Sequence, residues 1–342
     1  ADILAKFINS TGGAGNLSVL LEMFPGLLNT TSEFSVIEVG SERQWVLPWW
    51  VQLIYGVLFG SMVLVAAFGN AVVVWIVVFH RNMRTVTNYF LVNLSIANAM
   101  TAIFNAIFNL VYMLESHWAF GSTYCVFNNF VANLTVSSSA FTIAATSIDR
   151  YFAIVHPLWR RLSRWRALAT IVTIWTSSTL LSLPTLLYST TKSYRYADHS
   201  VRTVCLLLWP DGLPYASYTD YVYNVVFLVL TYVVPVATMA VTYTRMSVVL
   251  WGSRCIGEFT EHQQNALRSK QKVVKMLFTV VVLFTVSWLP YHIYFIYVFH
   301  HPKVAYVDYI QHVYLAMYWL AMSHAMYNPI VYYSMNKRWA PT

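Results

Sequence analysis

Charged residues are scarce in this chain. Of its 342 residues, 10% are Asp, Glu, Lys or Arg, whereas 58% are hydrophobic and the mean hydropathy is +0.54. A soluble domain usually carries about 25% charged residues, because polar side chains must cover its surface. The composition therefore excludes a soluble globular protein and predicts a membrane protein.

Long apolar runs are what the chain has instead. A bilayer core about 30 Å thick is crossed by roughly 20 apolar residues of helix. Seven runs reach that length: Pro48–Phe79, Val86–Leu114, Trp118–Ile148, Ala167–Thr191, Tyr221–Thr244, Met276–Phe299 and Tyr309–Met335. The sequence predicts an all-α membrane protein with a seven-transmembrane-helix bundle over residues 48–336. We expect residues 1–47 to form an extracellular, glycosylated N-terminal segment and residues 337–342 to be the start of a truncated cytoplasmic tail.

The Lys and Arg residues are placed unevenly among the connections. Of the 21 in the chain, six precede run one or follow an even-numbered run: Lys6, Arg43, Lys192, Arg195, Arg202 and Lys303. Because Lys and Arg collect in cytoplasmic loops, we expect an extracellular N-terminus and a cytoplasmic C-terminus. The same rule explains the formal net charge of +8 without a nucleic-acid partner, and none is expected.

The N-terminal segment carries three glycosylation sequons, at Asn9, Asn16 and Asn29. Glycosylation there agrees with an extracellular N-terminus. Two further sequons, at Asn93 and Asn133, lie inside apolar runs that no glycosyltransferase can reach, so we expect them to stay unmodified.

Cysteine is too scarce for a disulfide framework, since the chain has three. Cys125 lies at the outer end of run three, and Cys205 lies in the outer loop before run five. Both face an oxidising compartment, so we expect a disulfide between them. Cys255 lies in a cytoplasmic loop and is expected to be a free thiol.

The middle of each run lacks Asp, Glu, Lys and Arg. Transporters and channels usually show such charges along a path, or internal repeats, and neither is found here. His292, His312 and His324 are spread along different depths and do not form a metal cluster. The sequence therefore argues against a transporter or channel, and we expect no enzyme activity, metal or cofactor.

One neutral run ends abruptly in charge. The run from Cys125 to Ile148 has no charged residue, and Asp149, Arg150 and Tyr151 follow it. This triad resembles the Asp-Arg-Tyr motif of rhodopsin-like G-protein-coupled receptors. The rest of that family's signature stands in order at Gly69-Asn70, Asn93-Leu-Ser, Trp175, Pro235, Tyr243, Trp288, Pro290, Asn328-Pro329 and Tyr332.

The resemblance implies a multi-pass plasma-membrane receptor that transmits ligand binding to a heterotrimeric G protein. Prolines remove backbone donors and kink helices, so the cytoplasmic half of run six can swing below Trp288. The basic inner loops would contact the G protein and anionic membrane lipid. The activation switch then consists of Asp149, Arg150, Tyr151, Tyr243, Trp288, Pro290, Asn328, Pro329 and Tyr332.

Two positions depart from the family pattern. Asn98 stands where rhodopsin-like receptors usually carry an acid that completes a sodium site, so we expect weak or absent sodium regulation. The start of run six, Arg268-Ser-Lys270-Gln-Lys272, has no acid to pair with Arg150. Restraint on Arg150 is therefore expected mainly from Asp149.

Two ligand classes lack their anchor in this chain. Run seven has no Lys for the Schiff base of a light receptor, and Ala132 stands where amine receptors carry an Asp. The outer half is instead rich in amides and aromatic rings, including Asn224. Such a lining suits a peptide, because it offers donors, acceptors and ring faces.

Four stretches bring the resemblance closer, to the tachykinin (neurokinin) receptors: Met83–Leu94, Lys272–Met276, Trp288–Phe295 and Leu320–Ile330. This implies coupling to the calcium-mobilising Gq class. The signature motifs equally allow a receptor for another amidated neuropeptide. The implied peptide pocket contains Asn105, Asn109, Asn129, His292, Phe295 and Tyr314.

Thr185 and Asn224 stand where vertebrate members typically carry Gln and His, which indicates the invertebrate branch. Ligands of that branch end in an Arg-amide where vertebrate tachykinins end in a Met-amide. A cationic end requires an acid at the mouth of the pocket. Among the acids on that side we select Asp220 and Glu115 as its partners.

Overall fold

The computed structural model describes residues 36–38, 47–158, 162–196, 199–212, 216–252, 261–301, 304 and 309–335. The sequons at Asn9, Asn16 and Asn29 lie outside the described residues. So do Cys255, residue 336 and the predicted tail, 337–342.

Seven long helices make up the described part of the bundle. Six of them, α1 to α6, are long and apolar enough to cross a membrane. The seventh, α7, has 26 residues and also exceeds the roughly 20 needed to span a bilayer, although it carries His312, His324 and Asn328. The helices are α1 (Trp49–Phe79), α2 (Val86–Glu115), α3 (Gly121–Val155), α4 (Arg164–Tyr188), α5 (Tyr218–Gly252), α6 (Glu261–His300) and α7 (Ile310–Met335).

The predicted spans are confirmed as helices, with corrections at their ends. Run four was expected to reach Thr191, which is wrong: the helix ends at Tyr188 and the next residues form a strand. Run three was expected from Trp118, yet α3 begins at Gly121. Trp118 instead donates its backbone N–H to Thr203 O at 2.8 Å. Helix α6 begins well before Met276, because its basic start is made of good helix-forming residues that need no membrane.

Hydroxyl side chains mark where three helices begin. Thr85, Ser163 and Ser217 precede α2, α4 and α5, and each accepts a hydrogen bond from the backbone N–H three residues further on. Such N-caps satisfy one of the orphan donors at a helix start and contribute about 1 kcal/mol each.

A three-stranded sheet lies at one end of the bundle. Strand β2 (Ser189–Arg195) pairs antiparallel with β3 (Val201–Leu207), and β1 (Val36–Glu38) adds parallel to β2. The predicted disulfide joins Cys125 near the start of α3 to Cys205 in β3, with a Cα–Cα distance of 5.7 Å. We call this the sheet end, and the opposite end, where α3 carries Arg150, the Arg150 end.

Neutral polar pairs run along the contact between α2 and α3. Asn93 donates to Thr142 at 2.7 Å, Ser139 to Asn98 at 3.2 Å, and Thr101 to Thr135 at 2.8 Å. All six residues are buried. Trp175 of α4 joins this ladder by donating its indole N–H to Asn93 Oδ1 at 2.7 Å. These bonds fix the register of α2, α3 and α4, and they place Asn93 where no glycan fits.

Helices α1 and α7 approach closely at Gly69. A Cβ added to Gly69 would lie 2.9 Å from Pro329 Cβ, so a larger residue would push the helices apart. The next residue, Asn70, donates to Ala325 O at 2.9 Å across the same contact. The residues that carry the family signature in α1 and α7 therefore pack on one another.

Candidate functional site

Three amides and one phenol form a closed ring of hydrogen bonds in the sheet half of the bundle. Asn105 donates to Asn128 Oδ1 (3.2 Å), Asn128 to Asn109 Oδ1 (3.4 Å), Asn109 to the Tyr318 hydroxyl (3.0 Å), and Tyr318 to Asn105 Oδ1 (2.8 Å). The four bonds join α2, α3 and α7. We call this set the amide ring.

The amide ring is buried and internally satisfied. Asn105, Asn128 and Tyr318 are at most 4% exposed, and Asn109 is half-buried. One interhelical hydrogen bond in a membrane protein contributes about 0.6 kcal/mol. Bonds that polarise one another in a chain strengthen by roughly 10–30% each, so the ring contributes on the order of 2–3 kcal/mol.

The local shape of α2 brings its two amides into the ring. Asn105 lies within a π-helical turn, Ala102–Ala106, that interrupts the α-helix. A π turn inserts one residue and rotates everything beyond it, and such turns are frequent at functional sites. Asn109 follows one helical turn later, so both amides face α3 and α7.

An aromatic cluster lies beside the amide ring. Tyr314 of α7 stacks on Tyr318, with ring centroids 6.2 Å apart, and also contacts Phe295 of α6 at 6.3 Å. Phe295 contacts Tyr291 at 4.8 Å, and Tyr291 contacts Trp288 at 5.6 Å. The predicted pocket residues Phe295 and Tyr314 are thus connected by ring contacts to Trp288.

His292 packs in the same cluster on the α5 side. Its imidazole lies 5.1 Å from the ring of Tyr232 and 5.9 Å from that of Trp288, and it is buried. Ring contacts and hydrogen bonds thus connect His292, Phe295 and Tyr314 to Asn105 and Asn109. That these residues line a peptide pocket stays a prediction.

Two further predicted pocket residues hold the loop structure at the sheet end. Asn129 of α3 donates to Ser189 Oγ at 3.1 Å and to the disulfide sulfur of Cys205 at 3.5 Å. Asn224 of α5 donates to Asp220, at 2.9 Å to its carbonyl and 3.2 Å to its carboxylate. Both amides are engaged by the chain itself.

The two acids selected for a cationic ligand end differ in their surroundings. Asp220 is half-buried, and its carboxylate accepts from Trp209 Nε1 at 2.9 Å as well as from Asn224. Glu115 is exposed at the end of α2, beside Ser116 with its left-handed backbone. An exposed carboxylate at a helix end is accessible to a cation in solvent, whereas Asp220 is oriented by its donors.

A third acid at this end belongs to the loop itself. Ser217 Oγ donates to Asp211 at 2.5 Å, and the backbone N–H and hydroxyl of Thr219 donate at 2.9 Å each. These bonds lower the pKa of the Asp211 carboxyl from its ordinary value to about 2, and the bond from Ser217 has the largest effect. Asp211 therefore stays ionised throughout the physiological range.

At the Arg150 end, Arg150 pairs with its sequence neighbour. Its Nε donates to Asp149 Oδ2 at 3.0 Å, and its terminal nitrogen also donates to Thr87 Oγ1 of α2. The ring of Tyr151 packs 5.5 Å from that of His156. The expected restraint by Asp149 is present in the geometry, and Thr87 is a second partner that the sequence did not indicate.

The start of α6 is attached to α5. Gln271 Nε2 donates to Leu250 O at 3.1 Å, and the Lys275 ammonium lies 5.8 Å from the Trp251 ring centre. Because neither contact involves α3, the inner part of α6 can move relative to Arg150 without breaking a salt bridge.

Several switch residues in the interior carry buried polar atoms that have no partner among the residues the structure describes. They include Trp288 Nε1, Asn328 Nδ2 and the Tyr332 hydroxyl. Asn98 Nδ2 also has no partner among the described residues, whereas Asn98 Oδ1 accepts from Ser139.

Sequence reasoning missed Asn128 and Tyr318. Tyr318 follows Tyr314 by one helical turn, and residues at that spacing share a face. The family resemblance indicated Asn129, and its neighbour Asn128 lies on a different face of the same helix. The spacing of Asn105 and Asn109 on one face was the available signal for a partner amide across the helix contact.

Comparison with known proteins places the chain among receptors. A family model described as 7 transmembrane receptor (rhodopsin family) matches residues 69–332. That range includes every helix of the bundle in whole or in part, as well as the disulfide and all the switch residues.

Several curated receptors are similar over most of the chain. The Drosophila melanogaster tachykinin-like peptides receptor 86C is 53% identical over 86% of this chain and 59% of its own length. Tachykinin-like peptides receptor 99D of the same organism is 48% identical over 88% of this chain and 58% of its own length. The rabbit (Oryctolagus cuniculus) neuromedin-K receptor is 42% identical over 95% and 68%. The chain thus spans less than two thirds of the two Drosophila receptors.

Proposed function

Because this chain belongs to the rhodopsin family of seven-transmembrane receptors, in its tachykinin-receptor branch, we propose that it is a receptor for a tachykinin-like peptide. It is a multi-pass protein of the plasma membrane and not an enzyme. Peptide binding at the sheet end would be transmitted to a heterotrimeric G protein at the Arg150 end. The observation that carries the proposal is the aromatic cluster that connects Tyr314 and Phe295 to Trp288.

We place the sheet end outside the cell. The disulfide between Cys125 and Cys205 lies there, and disulfides persist in oxidising compartments. The basic start of α6 lies at the opposite end, as the positive-inside rule requires. Glycans at Asn9, Asn16 and Asn29 would follow from this orientation. Endoglycosidase treatment of intact cells should then reduce the apparent mass, and substitution of all three asparagines should abolish that shift.

The mechanism is a shift between two pre-existing packings of the bundle. A peptide that packs on Phe295 and Tyr314 would act through Tyr291 on Trp288, two residues before Pro290. The inner part of α6 would then move away from Arg150. Tyr243 of α5 and Tyr332 of α7, both buried, would then gain hydrogen bonds with Arg150 and the tail of a G protein.

Basic residues at the Arg150 end give the second contact surface. Arg268, Lys270, Lys272 and Lys275 lie exposed on the first turns of α6. We propose that they bind the G protein together with anionic lipid of the inner leaflet, each contributing about 1 kcal/mol near a charged membrane.

The test is intracellular calcium in cells that express the receptor. Matched Arg-amide and Met-amide tachykinin peptides are applied, and surface expression is measured in parallel. A response that favours the Arg-amide peptide supports the ligand class, the invertebrate ligand type and Gq coupling together. If a labelled peptide binds membranes that contain the receptor but calcium does not rise, the ligand class is supported and Gq coupling is rejected. Failure of both peptides to bind would favour a receptor for another amidated neuropeptide.

The partner of the Arg-amide end is tested at the two candidate acids. Asp220→Asn removes the charge but keeps the side-chain shape and the oxygen that accepts from Trp209 and Asn224. Glu115→Gln removes the charge at the end of α2 with the same small change in shape. The true partner should lose potency for the Arg-amide peptide about tenfold more than for the Met-amide analogue, as expected for a lost charge-assisted bond. Equal losses for both peptides would remove that acid from the pocket.

A further inference from the structure

The amide ring can open only as a unit. Each of its four members donates to the next and accepts from the previous one. Removing the Tyr318 hydroxyl leaves Asn109 Nδ2 without its acceptor and Asn105 Oδ1 without its donor. Removing the Asn128 amide leaves Asn109 Oδ1 without its donor and leaves Asn105 Nδ2 with only the longer bond to the Asn128 carbonyl, at 3.4 Å. The three members that remain keep two of the four bonds and cannot close the ring again.

The ring joins α2 and α3 to α7, whereas the aromatic cluster joins α7 to α6. Asn105 and Asn109 belong to α2, Asn128 to α3 and Tyr318 to α7. Tyr318 also stacks on Phe59 of α1, with centroids 6.0 Å apart. A rotation of α7 in its sheet half would therefore have to break the ring.

The ring is also in continuous contact with the switch. Tyr318 stacks on Tyr314, and further ring contacts run through Phe295 and Tyr291 to Trp288. The position of Tyr318 thus constrains the packing around Trp288 without touching it directly.

We propose that Asn128 and Tyr318 are positioning residues: through the closed amide ring they hold α2, α3 and α7 in the ligand-free packing, and activation requires the ring to open. This deepens the proposed receptor function, but its first test needs neither a peptide nor a G protein.

The test measures opening at the far end of the bundle. Spin labels are attached to Arg164→Cys on α4 and Arg268→Cys on α6, both exposed at the Arg150 end, in a Cys255→Ser background. Double electron–electron resonance then gives the distribution of distances between the two labels in the ligand-free receptor in nanodiscs. Tyr318→Phe should raise the population at longer distance by roughly threefold to tenfold, the range expected for one or two interhelical hydrogen bonds.

A second variant and a control make the result specific. Asn128→Ala should shift the distribution in the same direction, and the double variant should shift it no further than the larger single effect. Tyr309→Phe removes a phenol that is 61% exposed near the start of the same helix and should match the unsubstituted receptor. In cells, basal signalling per surface receptor should rise for the ring variants, whereas simple destabilisation would lower the signal and leave the distances unchanged.

Three outcomes would overturn the proposal. One is an unchanged distance distribution in both ring variants. Another is a lower melting temperature with no change in distance, which would make the ring a purely structural tie. The third is a double variant whose increase in the longer-distance population equals the product of the two single increases. Such additivity in free energy would show that the two residues act independently and not through one closed ring. If the distances respond but no peptide binds, the proposed ligand fails and this inference stands.

Discussion

The two ends of the bundle are held together by different kinds of bonds. At the sheet end, the disulfide and the Asn129–Ser189 bond tie α3 to the sheet, and the amide ring joins α2, α3 and α7. At the Arg150 end, the described cross-helix bonds include those from Arg150 to Thr87 and from Gln271 to Leu250. A covalent link and a closed network specify one packing more strongly than single hydrogen bonds do. The difference indicates that the sheet end holds its shape and that the Arg150 end rearranges more easily.

Breaking the disulfide should have the largest effect on this contrast. Cys205→Ser removes the covalent link between β3 and α3, and loss of a native disulfide costs about 2–5 kcal/mol. We expect folded surface receptor and peptide response to fall by about tenfold or more. Antibody labelling of intact cells and calcium imaging measure the two quantities. Cys255→Ser is the matched control, and a similar loss there would show that the disulfide is not the cause.

Removing the acid beside Arg150 should act at the opposite end. Asp149→Asn leaves Thr87 as the remaining partner of Arg150. We expect basal signalling per surface receptor to rise about fivefold, equivalent to ~1 kcal/mol for a partly exposed ion pair. Ligand-independent inositol phosphate accumulation measures it, and Thr87→Val should give a smaller rise. Basal signalling equal to that of the unsubstituted receptor would place the restraint elsewhere.

In the middle of the bundle, the neutral amide of Asn98 should leave agonist affinity insensitive to sodium. Asn98 accepts from Ser139 and offers no charge to a cation. Agonist affinity should therefore change less than about twofold when Na⁺ replaces an organic cation at the same ionic strength. Asn98→Asp should make agonist affinity fall by about fivefold in Na⁺, since a carboxylate attracts the ion and an amide does not. Sodium sensitivity in the unsubstituted receptor would contradict this.

The loop acid should have the smallest effect. Because the pKa of Asp211 is lowered to about 2, its stabilising contribution is complete above the ordinary carboxyl pKa of about 3.9 and is lost only as pH falls through about 2. The group is exposed, so Asp211→Asn should change peptide potency less than about twofold. Binding profiles of the variant and the unsubstituted receptor should run parallel between pH 5 and 8. A divergence within that range would show that the carboxyl titrates there.

Local sequence properties determined most of the architecture. The length of each apolar run predicted seven helices, and the prediction failed only at ends such as Thr191, where a strand follows the helix. Helix ends are decided by capping and tertiary contacts, which hydropathy does not contain. The family motifs likewise identified Arg150 and its neighbour Asp149, because adjacent residues need no tertiary structure to meet.

Only the tertiary structure decided which amides bond to each other. Asn105 and Asn109 were predicted from the sequence, but their ring partners Asn128 and Tyr318 come from other helices. Whether such side chains meet depends on how each helix is rotated about its axis, and the π turn at Ala102–Ala106 changes that rotation for α2. A sequence gives the residues on one helical face, whereas the hydrogen bonds between faces exist only once the helices have packed.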